Sequence, residues 1–214
     1  MIKFPDSTIV GKNVPKNVFY KHLEVSTRMK SIFVNDVERI IWAYKFAPST
    51  LNVSDGKNVH EITVFDVEMK AQVCPEEMFV LIDRNIPRHT MFILHNDDKS
   101  CAVINYKEAA QGNSSQPYKV LKTYKSVWQT TGNINLLILG TSMDALYEDF
   151  IRQIAGKQIS ENSHTLKEDI AISEELESLK KEIEALKKRI VLEHQPQKKF
   201  LLHNKLKDLE KKLL

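Results

Sequence analysis

The sequence is poor in the residues that several common chemistries require. Cysteine occurs only at Cys74 and Cys101, far apart and with no CxxC pair. That excludes a disulfide framework and argues against a structural zinc site, and it fits a reducing, cytoplasmic setting. Six glycines serve the whole chain, and no GxGxxG, P-loop or GxSxG is present. Loops that cradle phosphate, and the strained turn of a serine hydrolase, are therefore not expected. No apolar run approaches the roughly 20 residues that span a bilayer, so no membrane association is expected. The opening Met1-Ile2-Lys3-Phe4-Pro5-Asp6 has no apolar core of a secretion signal. The seven histidines show no metal-ligand spacing; His89 and His95 bracket one strand, on the same side but at opposite ends. The net charge of +3 is too small to diagnose a nucleic-acid binder.

What is present reads as an ordinary folded protein, with 42% hydrophobic and 28% charged residues. The segment up to about Val14 carries breakers at Pro5, Gly11 and Pro15 and is expected to be irregular. Helices are expected after Pro15 through Leu23 and around Met29 to Asn35. Val37 to Phe46 is rich in β-branched and aromatic residues and reads as a strand. Glu61 to Lys70 alternates, with Thr63, Phe65, Val67 and Met69 on one face and Ile62, Val64, Asp66, Glu68 and Lys70 on the other. Pro75-Glu76-Glu77 opens a helix that ends before Pro87. His89–His95 and Ser100–Lys107 form an expected hairpin. Strands are expected over Tyr118–Trp128 and Ile134–Leu139. An amphipathic helix follows over Met143–Ala155, with Ser142 or Asp144 as its N-cap. This order predicts an α+β fold, a mixed β-sheet with flanking helices, over residues 1–156.

The remaining quarter has a different period. A polar linker over 157–165 leads to apolar residues at Ile172, Leu176, Leu179, Ile183, Leu186 and Ile190. After Gln195-Pro196-Gln197 the pattern resumes at Leu202, Leu206, Leu209 and Leu213. Steps of three and four place one apolar seam on each helix. Two short arms separated by Pro196 favour an antiparallel coiled-coil hairpin over 166–214, each arm burying the other's seam. Lysines accumulate here: Lys180, Lys181, Lys187, Lys188, Lys198, Lys199, Lys205, Lys207, Lys211 and Lys212, with Arg189. This surface is either a solvated exterior or one that attracts phosphate or an acidic partner.

One constellation could carry chemistry. Asp66, Glu68 and Lys70 fall at alternate positions of one strand, about 6.5 Å apart at Cα. An acid two residues before a lysine, on a strand preceded by another strand and followed by a helix, is similar to the active-site strand of PD-(D/E)xK nucleases. In such sites Asp66 and Glu68 would ligate Mg2+ or Mn2+ and Lys70 would stabilise charge or position water. A further upstream acid is expected, with Glu38, Asp55 and Glu61 as candidates. A solvated strand face carrying alternating charges is the competing explanation.

Six segments, FPDSTIVGKNVPKNVFYKHLEVS, VERIIWAYKFAPSTLNV, EITVFDVEMK, IDRNIPRHTMFIL, MDALYEDFIRQI and the tail beginning LKKEIEALKKRI, together resemble a bacterial family catalogued as a domain of unknown function (DUF 4391). The resemblance runs in order over nearly the whole chain and implies no established activity. It implies a genomic setting beside Snf-type helicases and type III-like DNA methyltransferases, in loci resembling phage-defence or restriction-modification systems. Three readings stay open. The protein is an accessory subunit whose hairpin tethers a helicase or methyltransferase, with DNA as a further partner. It is a metal-dependent nuclease with Asp66, Glu68 and Lys70. Or it is a homodimer through its tail.

Overall fold

The computed structural model describes residues 3–23, 25–110, 116–159 and 165–212. The chain divides into two compact units, Met1–Gly156 and Lys157–Leu214. It is an α+β protein, as the order of its segments predicts.

In the first unit, β1 (Ile9–Asn13), α1 (Lys16–His22) and α2 (Thr27–Asn35) precede β2 (Val37–Phe46) and the single-turn α3 (Pro48–Leu51). Next come β3 (Ile62–Met69), α4 (Glu76–Asn85), β4 (His89–Asn96), β5 (Lys99–Ala109), β6 (Tyr118–Lys125), the two-residue β7 (Gln129–Thr130) and α5 (Met143–Ala155). The strands form one sheet in the order β1-β2-β3-β4-β5-β6, with β7 pairing on β5. Among the named strands of the described residues only β3 and β4 pair in parallel, because α4 crosses between them. The other neighbours are antiparallel.

Register decides which residues share a face. Trp42 lies opposite Phe65 and Phe65 opposite Phe92, so one face gathers Ile40, Phe65, Val67, Phe92, Leu94 and Val103. Against it α2 contributes Phe33, and α4 contributes Met78, Phe79 and Ile82. On the opposite face α5 buries Leu146, Phe150, Ile151 and Ile154, and Phe150 stacks on Phe46 at 5.6 Å between centroids. Ser142 caps α5, its hydroxyl accepting from the Ala145 N–H at 3.3 Å. Covered on both sides, β3 is buried at most positions rather than at alternate ones.

Three expectations need correction. The opening segment is not wholly irregular, because Ile9–Asn13 pairs with β2 as an edge strand. Its side chains are mostly exposed, so no alternation marks it. Ile134–Leu139 is not a strand of the sheet. The Gln153 side-chain amide on α5 instead accepts from the Leu137 N–H and donates to the Leu137 carbonyl, both at 2.8 Å, standing in for a neighbouring strand. The strand expected over Tyr118–Trp128 stops at Lys125.

In the second unit, α6 (Leu166–Leu192) and α7 (Pro196–Lys211) pack together as a hairpin. Ile183, Leu186 and Leu209 are buried in its seam, with Leu179, Leu202 and Leu206 packed around them. The expected seam position Leu213 and most of the expected linker, 160–164, lie outside the described residues. Thr165 starts α6 with a capping box: its hydroxyl accepts from the Glu168 N–H, and the Glu168 carboxylate accepts from the Thr165 N–H. No helix among the described residues is long and apolar enough to cross a membrane.

Candidate functional site

On the face of the sheet that carries α5, the C-terminal half of β3 opens into a cleft of about 580 Å³. Asp66 and Glu68 line it together. Register places Asp66 between Ile41 of β2 and Ile93 of β4, and Glu68 between Arg39 and His95. The β4–β5 turn, Asp97-Asp98, together with Thr130 at the end of β7 and the following Thr131, closes the wall. Asp97 adopts a left-handed φ of 51°, which Asp tolerates better than most side chains.

The two carboxylates have separate partners. Glu68 pairs with the Arg39 guanidinium at 2.9 Å, with both side chains about half exposed. Asp66 Oδ1 lies 3.3 Å from His95 Nε2. On the other side of the ring, His95 Nδ1 is 2.6 Å from Ser100 Oγ. The fully buried Ser100 is in turn 2.6 Å from Thr131 Oγ1, which donates to the Asp98 carbonyl at 3.1 Å. The Ser100 hydroxyl thus contacts one ring nitrogen directly and the Thr131 hydroxyl backs it, leaving the second nitrogen near Asp66 without a hydrogen bond of its own.

Lys70 does not join them. β3 ends at Met69, so the alternation stops one residue short. The Lys70 N–H donates to the Asp36 carbonyl at 2.8 Å, and its ammonium donates to the Val34 carbonyl at 3.0 Å, with Glu38 at 3.7 Å. The other upstream acids are engaged elsewhere. Asp55 sits 3.0 Å from His60, while Glu61 bridges Lys45 at 2.9 Å and Arg88 at 3.0 Å. Among the described residues no group of three His, Cys, Asp or Glu side chains is gathered closely enough to hold a metal ion. Asp66 and Glu68 are oxygen donors of the right type for Mg2+ or Mn2+, and each faces a basic side chain, His95 and Arg39 respectively.

Asp83, Asn105 and Lys107, not singled out from the sequence, are more deeply placed. Asp83 on α4 and Lys107 on β5 form an ion pair at 2.6 Å with both side chains fully buried. Lys107 also donates to the carbonyls of Asp83 at 2.8 Å and Arg88 at 2.5 Å, and lies 4.2 Å over the Tyr118 ring. Asn105 donates to the second Asp83 oxygen at 3.0 Å, and the Tyr147 hydroxyl donates to the Asn105 carbonyl. Burial pushes the Asp83 carboxyl up and the Lys107 ammonium down, each opposed by the partner's charge. His89, wedged between Tyr147 and Tyr118, is lowered to about 3 by burial first and by Lys107 second. Asp144 is a clamp. It accepts the N–H groups of Lys57 at 2.7 Å, Asn58 at 3.1 Å and Val59 at 2.8 Å. Burial raises its carboxyl, but the three donors outweigh that and leave it below the ordinary value. A signal for the buried pair exists: Asp83 falls four residues after Phe79 on an otherwise apolar helix stripe.

The model of one protein family, described as Domain of unknown function (DUF4391), matches residues 2–213. The chain belongs to this family. Comparison with curated proteins and with solved structures gave no match. Because the match extends over both compact units, α6 and α7 are part of the DUF4391 domain itself and not an extension appended to it.

Proposed function

We propose that this DUF4391 protein is an accessory subunit of a bacterial DNA-processing complex of the phage-defence or restriction-modification type, acting in the cytoplasm. In this reading the α6–α7 hairpin tethers a helicase or methyltransferase, and its lysine-rich surface also meets DNA. The supporting observation is that the two apolar seams close on each other, through Ile183 and Leu186 on α6 and Leu209 on α7. A hairpin that satisfies its own seam does not need a second copy to bury it, and exposed residues such as Lys188 and Lys198 are available to another molecule. The implied genomic setting beside helicases and methyltransferases supplies the partner class. Co-purification with the neighbouring helicase or methyltransferase tests the tether. Removing residues 166–214 abolishes capture if the reading holds, with tryptophan fluorescence verifying that residues 1–156 stay folded. Capture that survives the deletion refutes it.

The position of Asp66 and Glu68 favours a second reading, a metal-dependent nuclease. They lie in a cleft on a strand that follows antiparallel β2 and leads into the α4 crossover. Plasmid cleavage with Mg2+ or Mn2+ that is lost in Asp66→Ala and Glu68→Ala supports it, and equal activity in all three proteins removes it.

A further inference from the structure

We infer that the outer edge of β6, with the groove beside it, takes up an extended acidic segment of a protein partner as a further strand. This goes beyond the tether reading and does not depend on it. β6 pairs with β5 on one side, and no strand of the described residues pairs with its other side. A groove of about 540 Å³ is walled by Val80 and Arg84 of α4 and by Tyr118, Lys119, Val120 and Leu121 of β6. Side chains of a strand alternate between faces, yet four consecutive residues of β6 line this groove. It therefore runs along the strand's own backbone, beside the N–H and C=O groups that β5 does not use.

Charge selects the occupant. Arg84 Nε is buried without a hydrogen-bond partner, and such a donor carries a desolvation cost that a bound acceptor offsets. Neither Arg84 nor the exposed Lys119 has an ion-pair partner among the described residues. Lys125, farther along β6, is by contrast paired with Glu76 at 2.5 Å. Glu108, the one carboxylate among the described residues of the groove, accepts the Tyr106 hydroxyl at 3.2 Å. Leu121, 41% exposed, adds apolar surface beside the two cations. A second copy adding through the same edge would set the lysines of two β6 strands against each other, which disfavours self-pairing. The phosphates of a nucleic acid would accept from Arg84 and Lys119 but offer no donors to the edge carbonyls. An extended peptide supplies both groups: its backbone completes the ladder, and an Asp or Glu side chain on the groove side meets Arg84.

The test uses the full-length protein and short fluorescent peptides of alternating threonine and valine. One carries a central glutamate, one has glutamine in its place, and a third is the glutamate peptide N-methylated along one edge. A mixed-sequence DNA duplex and free glutamate serve as competitors. The glutamate peptide is expected to bind in a salt-sensitive manner and to slow amide hydrogen exchange within Tyr118–Leu121. The glutamine and N-methylated peptides, and the glutamate peptide on Arg84→Gln, each bind about tenfold or more weakly. Circular dichroism and tryptophan fluorescence verify that Arg84→Gln keeps the fold, and the two altered peptides test the same contacts with the protein unchanged. The proposal is overturned if the glutamate peptide does not bind at millimolar concentration, or if glutamine, N-methylation or Arg84→Gln leaves its affinity unchanged. Displacement of the peptide by the duplex or by free glutamate at equal concentration overturns it as well, because the groove then recognises an anion and not a strand.

Discussion

Replacing Lys107 by Met removes the cation from a fully buried pair while keeping most of the side-chain volume. Lys107 Nζ makes two contacts to Asp83, one to the Arg88 carbonyl and one to the Tyr118 ring. Without it, Asp83 keeps the Asn105 donor on one oxygen and has lost its counter-charge. Breaking one side of such a pair costs about 3–5 kcal/mol. In a unit of this size that corresponds to a fall in Tm of about 6–20 °C. Trp42 and Trp128, the only tryptophans, both pack on the core of the first unit, so their fluorescence in urea reports its unfolding alone. The double variant Lys107→Met with Asp83→Asn has no isolated charge left and recovers at least about 1 kcal/mol. In the single variant the deficit shrinks as pH falls. Asp83 without its cation has a folded-state pKa above its unfolded value, so the fold is favoured where the carboxyl is neutral and penalised as pH rises. The reasoning fails if Lys107→Met unfolds within about 1 kcal/mol of wild type, or if the double variant is no more stable than the single one.

Other outcomes follow from the same geometry. His89, held down to about 3 against an unfolded value of 6.5, stays neutral in the fold while the unfolded chain takes up a proton. Its contribution is present above pH 6.5 and is lost as pH falls toward 3, so His89→Phe flattens the urea midpoint across that window. Asp144→Ala removes the carboxylate that accepts from three backbone N–H groups and costs about 2 kcal/mol; hydrogen exchange at Lys57, Asn58 and Val59 accelerates. Gly56→Ala strains the same loop, because its Cβ would stand 2.3 Å from the Val59 carbonyl oxygen, and a variant as stable as wild type contradicts that placement. Leu186→Ala in the hairpin seam costs about 2–5 kcal/mol, read as lost helical signal in circular dichroism with the tryptophan transition unchanged.

Much of the framework was legible because it is written in local periodicity. The α6–α7 hairpin follows from leucine and isoleucine spacing on either side of Pro196, and each seam needs only its neighbour. The Ser142 cap and the α5 stripe of Leu146, Phe150 and Ile154 are equally local. β1 was not legible, since an edge strand that exposes its side chains is held by backbone hydrogen bonds that any residue can make. Ile134–Leu139 has the composition of a strand but meets the Gln153 amide where a neighbouring strand would be.

The candidate site divides along the same line. Alternation alone places Asp66 and Glu68 on one face of β3, because side chains of a strand alternate whatever surrounds it. Where the strand stops is a tertiary matter: the Lys70 N–H bonds to the Asp36 carbonyl, and its ammonium goes to the end of α2 and not into the cleft. The contacts of Asp66 with His95, and of Asp83 with Lys107, join residues on different elements through strand register and the α4 crossover. A lone Asp83 on the apolar stripe of α4 signals that a partner is needed but does not name it, so the sequence by itself determined the elements and their apolar faces. Only the packed structure decided which polar groups meet, because burial forces each of them to find a partner that the local pattern does not specify.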